Sequence, residues 1–203
     1  IVNYDGTSAT ISGEVAGVAV NVENAHVIVT SEGASGVEYI LSGSTTDGQF
    51  KIYSDKKAKI TLNNLNLVNG SGSAINIQSK KRMFIVSADG TTNKLTDATK
   101  YSTPDGEDEK ATLFAEGQII FSGSGSLFVN ANYKHGICSD QYIVTRTGTY
   151  ITVNAVKDGI HTNDGFTHNG GILILNSSQG DGIDSDSDIY IHGGLIKILT
   201  ENS

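Results

Sequence analysis

Short apolar runs alternate with polar turns along the whole chain. Gly17–Val22, His26–Thr30, Glu38–Leu41, Phe50–Tyr53, Lys59–Leu62 and Leu65–Val68 are such runs, followed by Ala74–Ile77, Met83–Val86, Ile119–Phe121 and Leu127–Val129. Val, Ile, Leu, Phe and Tyr carry them, and Gly, Asn, Ser or Asp separate them. Runs of this length and composition predict β-strands. No stretch places apolar residues at the 3.6-residue helical period. The pattern therefore predicts an all-β protein.

The spacing of the later runs is more specific. Gly136, Gly159 and Gly182 each precede isoleucine and lie 23 residues apart, as do Gly148, Gly171 and Gly194. HGICSDQYIVTRTGTYITVNAV, DGIHTNDGFTHNGGILILNSSQ and DGIDSDSDIYIHGGLIKILTEN align without a gap. Strands of a sandwich need not recur at one interval; a period in the low twenties predicts a solenoid. The expected fold is a single-stranded right-handed parallel β-helix of roughly seven coils, three short strands per coil, stacked at ~4.8 Å. Ile143, Phe166 and Ile189 should stack, and so should Tyr150, Leu173 and Ile196. Upstream the repeat blurs. Ile120 is matched to Ile143 and Gly125 to Gly148 at 23 residues, Phe50–Ile52 to Ala74–Ile77 near 25, and His26–Val29 to Ala58–Thr61 near 32. One domain over 1–203 follows, with residues 1–24 as first coil or N-terminal cap and 133–203 as regular coils.

Residues 91–112, TTNKLTDATKYSTPDGEDEKAT, break the rhythm. They hold the only proline and the acidic run Asp105–Glu109. So polar a segment predicts a loop leaving the helix body. It is either a solvated insertion or the wall of a binding groove that contributes Tyr101 or Lys100.

Composition narrows the partners. The net charge of −8 supplies no basic stripe for nucleic acid. No apolar run approaches the roughly 18 residues that span a bilayer. Few Lys and Arg among many Asn, Thr, Ser and Gly fit an extracellular or cell-surface protein. The chain begins at Ile1, so any leader or lipid anchor is expected to lie outside it. Cys138, the single cysteine, has no partner for an internal disulfide and reads as an inert thiol.

Strand alternation turns the repeat into columns. Ile137, Ile160 and Ile183 form an inward ladder, and Ser139, Thr162 and Ser185 the next. Cys138, His161 and Asp184 face outward, beside Asp140, Asn163 and Asp186. His135, Asp158 and Asp181 stack at the preceding turn, and Asp164 and Asp188 sit just past the strand. Seven aspartates (140, 158, 164, 181, 184, 186, 188) thus share one flank of three coils, with Lys134 and Lys157 the only cations in the columns. Two carboxylates 5 Å apart repel by roughly 1 kcal/mol in water and more in a drier groove, so a cation is expected. Hard oxygen ligands at flexible spacing select Ca²⁺. The five histidines show no H-x-x-H or H-E-x-x-H pattern, so zinc is not expected. Tyr133, Lys134, Lys157 and Tyr101 are the candidates for gripping a sugar, by ring contact or by charge on a uronate.

LTDATKYSTPDGEDEKATLFAEGQIIFSGSGSLFVNANYKHGICSD, followed by the KDGIHTND and GDGIDSDSD coils, resembles a bacterial secreted carbohydrate-binding β-helix family related in fold to polysaccharide lyases. The resemblance spans Asn63 to Ser203 and is strongest from Asn66 to Asp188. It implies calcium in the coil turns, at Asp158, Asp164, Asp181, Asp184 and Asp186, with Asp140, Asn163 and Asp188 next. It implies binding of cellulose or pectin-type polyuronates without established cleavage. In two respects the chain departs from the family pattern: it stops one period after Gly180, and His135 stands where later coils carry Asp. Non-catalytic, calcium-dependent or calcium-stabilised binding of extracellular polysaccharide is the expected function. The alternatives are a calcium-dependent pectate lyase acting by β-elimination, with Lys157 or Lys134 as base, and a surface adhesin with structural calcium.

Overall fold

The structure, a computed structural model, describes residues 1–201; Asn202 and Ser203, the last positions of the expected coil region, lie outside the described residues. The described chain holds 22 strands and no helix. They form an eight-stranded and a fourteen-stranded sheet. The chain is a parallel β-solenoid of about seven turns.

One coil shows the plan. His135–Ser139 joins the eight-stranded sheet, then Tyr142–Thr145 and Tyr150–Ala155 join the other. Each strand pairs in parallel with its counterpart one coil on. The fourteen-stranded sheet is two such stacks joined by the 11-residue strand Ala58–Val68. Its first half pairs with Met83–Ser87 and its second with Thr92–Thr96. Three faces therefore enclose the core, as three strands per coil require. Alternate residues point inward, and Ile137, Ile160, Leu173 and Phe166 are all buried. The hairpins Val2–Gly6/Ser8–Ile11 and Val18–Glu23/His26–Ser31 close one end in antiparallel fashion.

The eight-stranded face keeps the expected columns. Ile137, Ile160 and Ile183 pair, as do Cys138, His161 and Asp184. Ile143, Phe166 and Ile189 also stack. Elsewhere the constant spacing misleads. Tyr150 pairs with Ile172, and it is Ile151 that lies on Leu173 and Ile196. The turn between Thr145 and Tyr150 is one residue longer than that between His168 and Ile172. The turn before Ile183 is in compensation one longer than that before Ile160. Glycines at matching sequence intervals thus need not stack: the amide of Ile172 donates to Thr149 O, and that of Leu195 to Gly171 O. Upstream, Ile119 rather than Ile120 pairs with Ile143. His26 pairs with Gln49, 23 residues on, so the expected match to Ala58 is wrong.

The excursion is also shorter than 91–112. Thr92–Thr96 is a strand between Ala58–Val68 and Ser126–Ala131. Its polar sequence hid this, because the inward Asn93 is fully buried and satisfied. Asn93 accepts from the Leu65 amide at 3.0 Å and donates to Thr91 Oγ1 at 3.0 Å and Ser126 O at 3.2 Å. Ala111–Ala115 is likewise a sheet strand, so only residues 97–110 leave the coil.

Candidate functional site

The outer face of the eight-stranded sheet is built from one column: Lys51, Asn76, Phe114, Cys138, His161 and Asp184. Its upstream half is covered by residues 97–110. Lys51 is buried and its Nζ lies 2.6 Å from Glu107 Oε2 and 3.6 Å from Glu109 Oε1. Tyr53 Oη donates to Glu107, and Asn76 Nδ2 to Glu109. Burial pushes the Glu109 carboxyl up, with Lys51 and Asn76 opposing. Lys110 lies over the Phe114 ring and reaches Asp108 at 2.9 Å and Asp140 at 3.0 Å. Phe114 and Cys138 are thereby outward-facing yet fully buried, and burial pushes the thiol up, which keeps it inert. The excursion is thus a cover for this face, not a solvated insertion.

At its root the excursion builds an aromatic step. Buried Asp97 accepts from the Asn132 amide and the Tyr101 hydroxyl, both at 2.5 Å. Burial raises the Asp97 carboxyl despite these donors. The Tyr101 and Tyr133 rings meet at 4.6 Å and 37°, and the Lys134 ammonium lies 5.0 Å over Tyr133. Lys157 follows one coil on, its amide donating to Lys134 O at 2.8 Å. The four sugar-binding candidates Tyr101, Tyr133, Lys134 and Lys157 therefore line one edge; Lys100 is exposed.

The seven aspartates do not converge. Asp140 is held by Lys110. Asp158 is buried, its Oδ2 2.8 Å from His135 Nδ1 and its Oδ1 accepting from the Asp181 amide at 2.8 Å. Burial works against its ionisation, yet the His135 imidazole and the Asp181 amide outweigh it and hold the carboxyl below the usual range. Asp184 Oδ2 lies 2.9 Å from His161 Nδ1. Asp188 accepts from the Tyr190 hydroxyl at 3.0 Å. Asn163, Asp164, Asp181 and Asp186 are exposed. Exposed oxygen donors on the stacked turns Asn163–Asp164 and Asp186–Asp188 suit a hard cation. Asp158 and Asp184, each against an imidazole, suit it less.

Sequence reasoning passed over the histidines. His135 and His161 stack at 4.6 Å with Asp158 between their ring nitrogens. They are 26 residues apart and in different columns, so no linear motif links them. The signal was present in the register: His135 pairs directly above Asp158, three residues from His161. The docking of Glu107 and Glu109 on Lys51 left no comparable trace.

Fold and site define a three-faced β-solenoid with one outer face half covered by its own loop and half open and polar. Residues 23–202 match the family described as carbohydrate-binding domain-containing protein, and the chain belongs to that family. A carbohydrate-binding domain-containing protein of Acetivibrio thermocellus is 36% identical over 121 residues, 58% of this chain and 42% of that protein. The aligned chain thus spans less than half of that relative's length. The solved structure of a polysaccharide lyase-like protein from C. thermocellum, as its gadolinium derivative, superposes with a TM-score of 0.74 at 23% identity. The match covers 100% of this chain and 96% of that one, and at this identity it speaks to the fold.

Proposed function

We propose that this protein is an extracellular, non-catalytic binder of polysaccharide, of cellulose or pectin type with acidic glycans favoured, that holds its ligand along the edge formed by Tyr101, Tyr133, Lys134 and Lys157. The observation that carries the reading is the Tyr101–Tyr133 pair flanked by the two lysines on successive coils. Aromatic faces pack against the apolar faces of sugar rings, and ammonium groups pair with uronate carboxylates at the coil spacing. The names of the family and of the A. thermocellus relative support the carbohydrate class. Calcium is proposed at the exposed turn oxygens of Asn163, Asp164, Asp186 and Asp188, where it would stabilise the coil stack or bridge to a substrate carboxylate.

Affinity electrophoresis in polygalacturonate and in soluble cellulose derivatives tests the reading. Retardation should occur, and Tyr133→Ala should weaken it about tenfold, the ~1–2 kcal/mol of an anchoring aromatic. No retardation by any polysaccharide would overturn it. Release of unsaturated uronide, seen as ultraviolet absorbance and lost in Lys157→Ala, would replace binding with lyase chemistry.

A further inference from the structure

We propose that His135, Asp158 and His161 form a site for a borderline divalent transition-metal ion of the zinc class, with Asp184 completing the ligand set on the solvent side. One donor atom from each of the first three lies within 4.8 Å of the others. His135 Nδ1 is 2.8 Å and His161 Nδ1 4.0 Å from Asp158 Oδ2. Ligand atoms around tetrahedral zinc, each about 2.0–2.2 Å from the ion, lie a little over 3 Å apart. The two distances bracket that value, so small side-chain rotations would admit the ion.

A second observation points to a ligand. His135 and Asp158 are each over nine-tenths buried, and His135 Nδ1 and Asp158 Oδ2 make no hydrogen bond despite their approach. They approach to 2.8 Å as a charge pair, yet neither atom has a hydrogen-bond partner. Buried groups of this kind are normally satisfied, and an ion between them would satisfy both. The surroundings resemble the outer shell of a metal site. The Asp181 amide, itself no ligand, fixes Asp158 Oδ1 at 2.8 Å, and Asp184 Oδ2, 2.9 Å from His161 Nδ1, is close enough to join the set as its fourth ligand. Two imidazoles select the zinc class over calcium, which takes oxygen. The site therefore differs in its donors from the exposed calcium turn; it adjoins the glycan-binding edge at Lys157, whose Nζ lies 4.0 Å from Asp158 Oδ2, and does not use Tyr133.

The test uses Co²⁺ and Zn²⁺ with the whole chain, stripped of metal beforehand and with no glycan present. Co²⁺ should give the visible d–d absorption of a low-symmetry nitrogen–oxygen site, at one equivalent, and Zn²⁺ should abolish it. Excess Ca²⁺ should leave it unchanged. His161→Gln, at a half-open position, should lower Co²⁺ affinity at least tenfold while circular dichroism stays that of the wild type. Should His135→Gln fail to fold, Asp184→Asn gives a second reading, with a smaller loss. Tyr133→Ala should keep full metal affinity, which separates this proposal from the glycan reading. Absence of the Co²⁺ spectrum, its displacement by Ca²⁺, or unchanged affinity in His161→Gln would overturn the proposal and leave a His135–Asp158 ion pair.

Discussion

Replacing Lys51 with methionine should free residues 97–110 from the face they cover. Among the described residues Lys51 is the one cation paired with both Glu107, at 2.6 Å, and Glu109, at 3.6 Å, and its side chain is 7% exposed. Removing one partner of a buried ion pair costs about 3–5 kcal/mol, because the other charge stays buried. Glu107 can turn toward water, which places the cost near the lower end, about 3 kcal/mol. That cost exists only while the loop is docked. It therefore falls on the docking equilibrium, and at about 1.4 kcal/mol per tenfold the undocked population rises roughly a hundredfold.

Cys138 reports the change. It is the only thiol in the chain, and it is buried with Ala111 and Phe114, whose ring lies under Lys110, pinned between Asp108 and Asp140. Its modification by a disulfide reagent tracks the open population when opening is fast. Lys51→Met should speed that reaction about a hundredfold, while the solenoid's circular dichroism persists. Adding Glu107→Gln and Glu109→Gln should recover much of the slow rate, since removing the whole charge set leaves nothing unpaired. An unchanged rate, or one that rises only with global unfolding, would refute the idea that this loop is the cover.

Gly136→Ala should destabilise the protein by about 1–3 kcal/mol, read by denaturant midpoint. A Cβ there would strike Val153 Cγ1 and lie 2.7 Å from Gly159 O. Ile160→Ala, in the fully buried inward ladder, should cost about 2–5 kcal/mol in the same measurement. Burial holds His168 below its ordinary value of 6.5. The unfolded chain therefore takes up the proton first, and stability should fall as pH drops below about 6.5 until the folded imidazole titrates. His168→Gln should flatten that part of the melting-temperature profile relative to wild type. Saturating Ca²⁺ should raise the melting temperature of the wild type and not of Asp164→Asn/Asp186→Asn; equal shifts in both would remove calcium from that turn.

The columns on the eight-stranded face were legible because two regularities coincide there: the pleat alternates every residue, and the strand-to-strand interval from Ile137 to Ile183 is a constant 23. The Gly–Ile step is itself a packing signal, since Gly136, Gly159 and Gly182 each sit where a Cβ would meet the next carbonyl or an inward side chain. The Tyr150 mismatch shows the limit of such reasoning. A residue added in one turn and another added later cancel in the period but not in the stack between them. Local polarity hid the strand Thr92–Thr96, whose Asn93 is buried through long-range hydrogen bonds that no window of sequence contains. The same holds for chemistry. Seven aspartates read as one calcium flank because the columns give neighbours one coil apart and no partner from outside the columns. Placement divides them, since Lys110 takes Asp140, the two imidazoles take Asp158 and Asp184, the exposed turns after the strands keep Asp164, Asp186 and Asp188, and Asp181 stands exposed before Ile183. A column identifies neighbours one coil apart. A site also needs neighbours across columns, and here those are the two histidines that bracket Asp158.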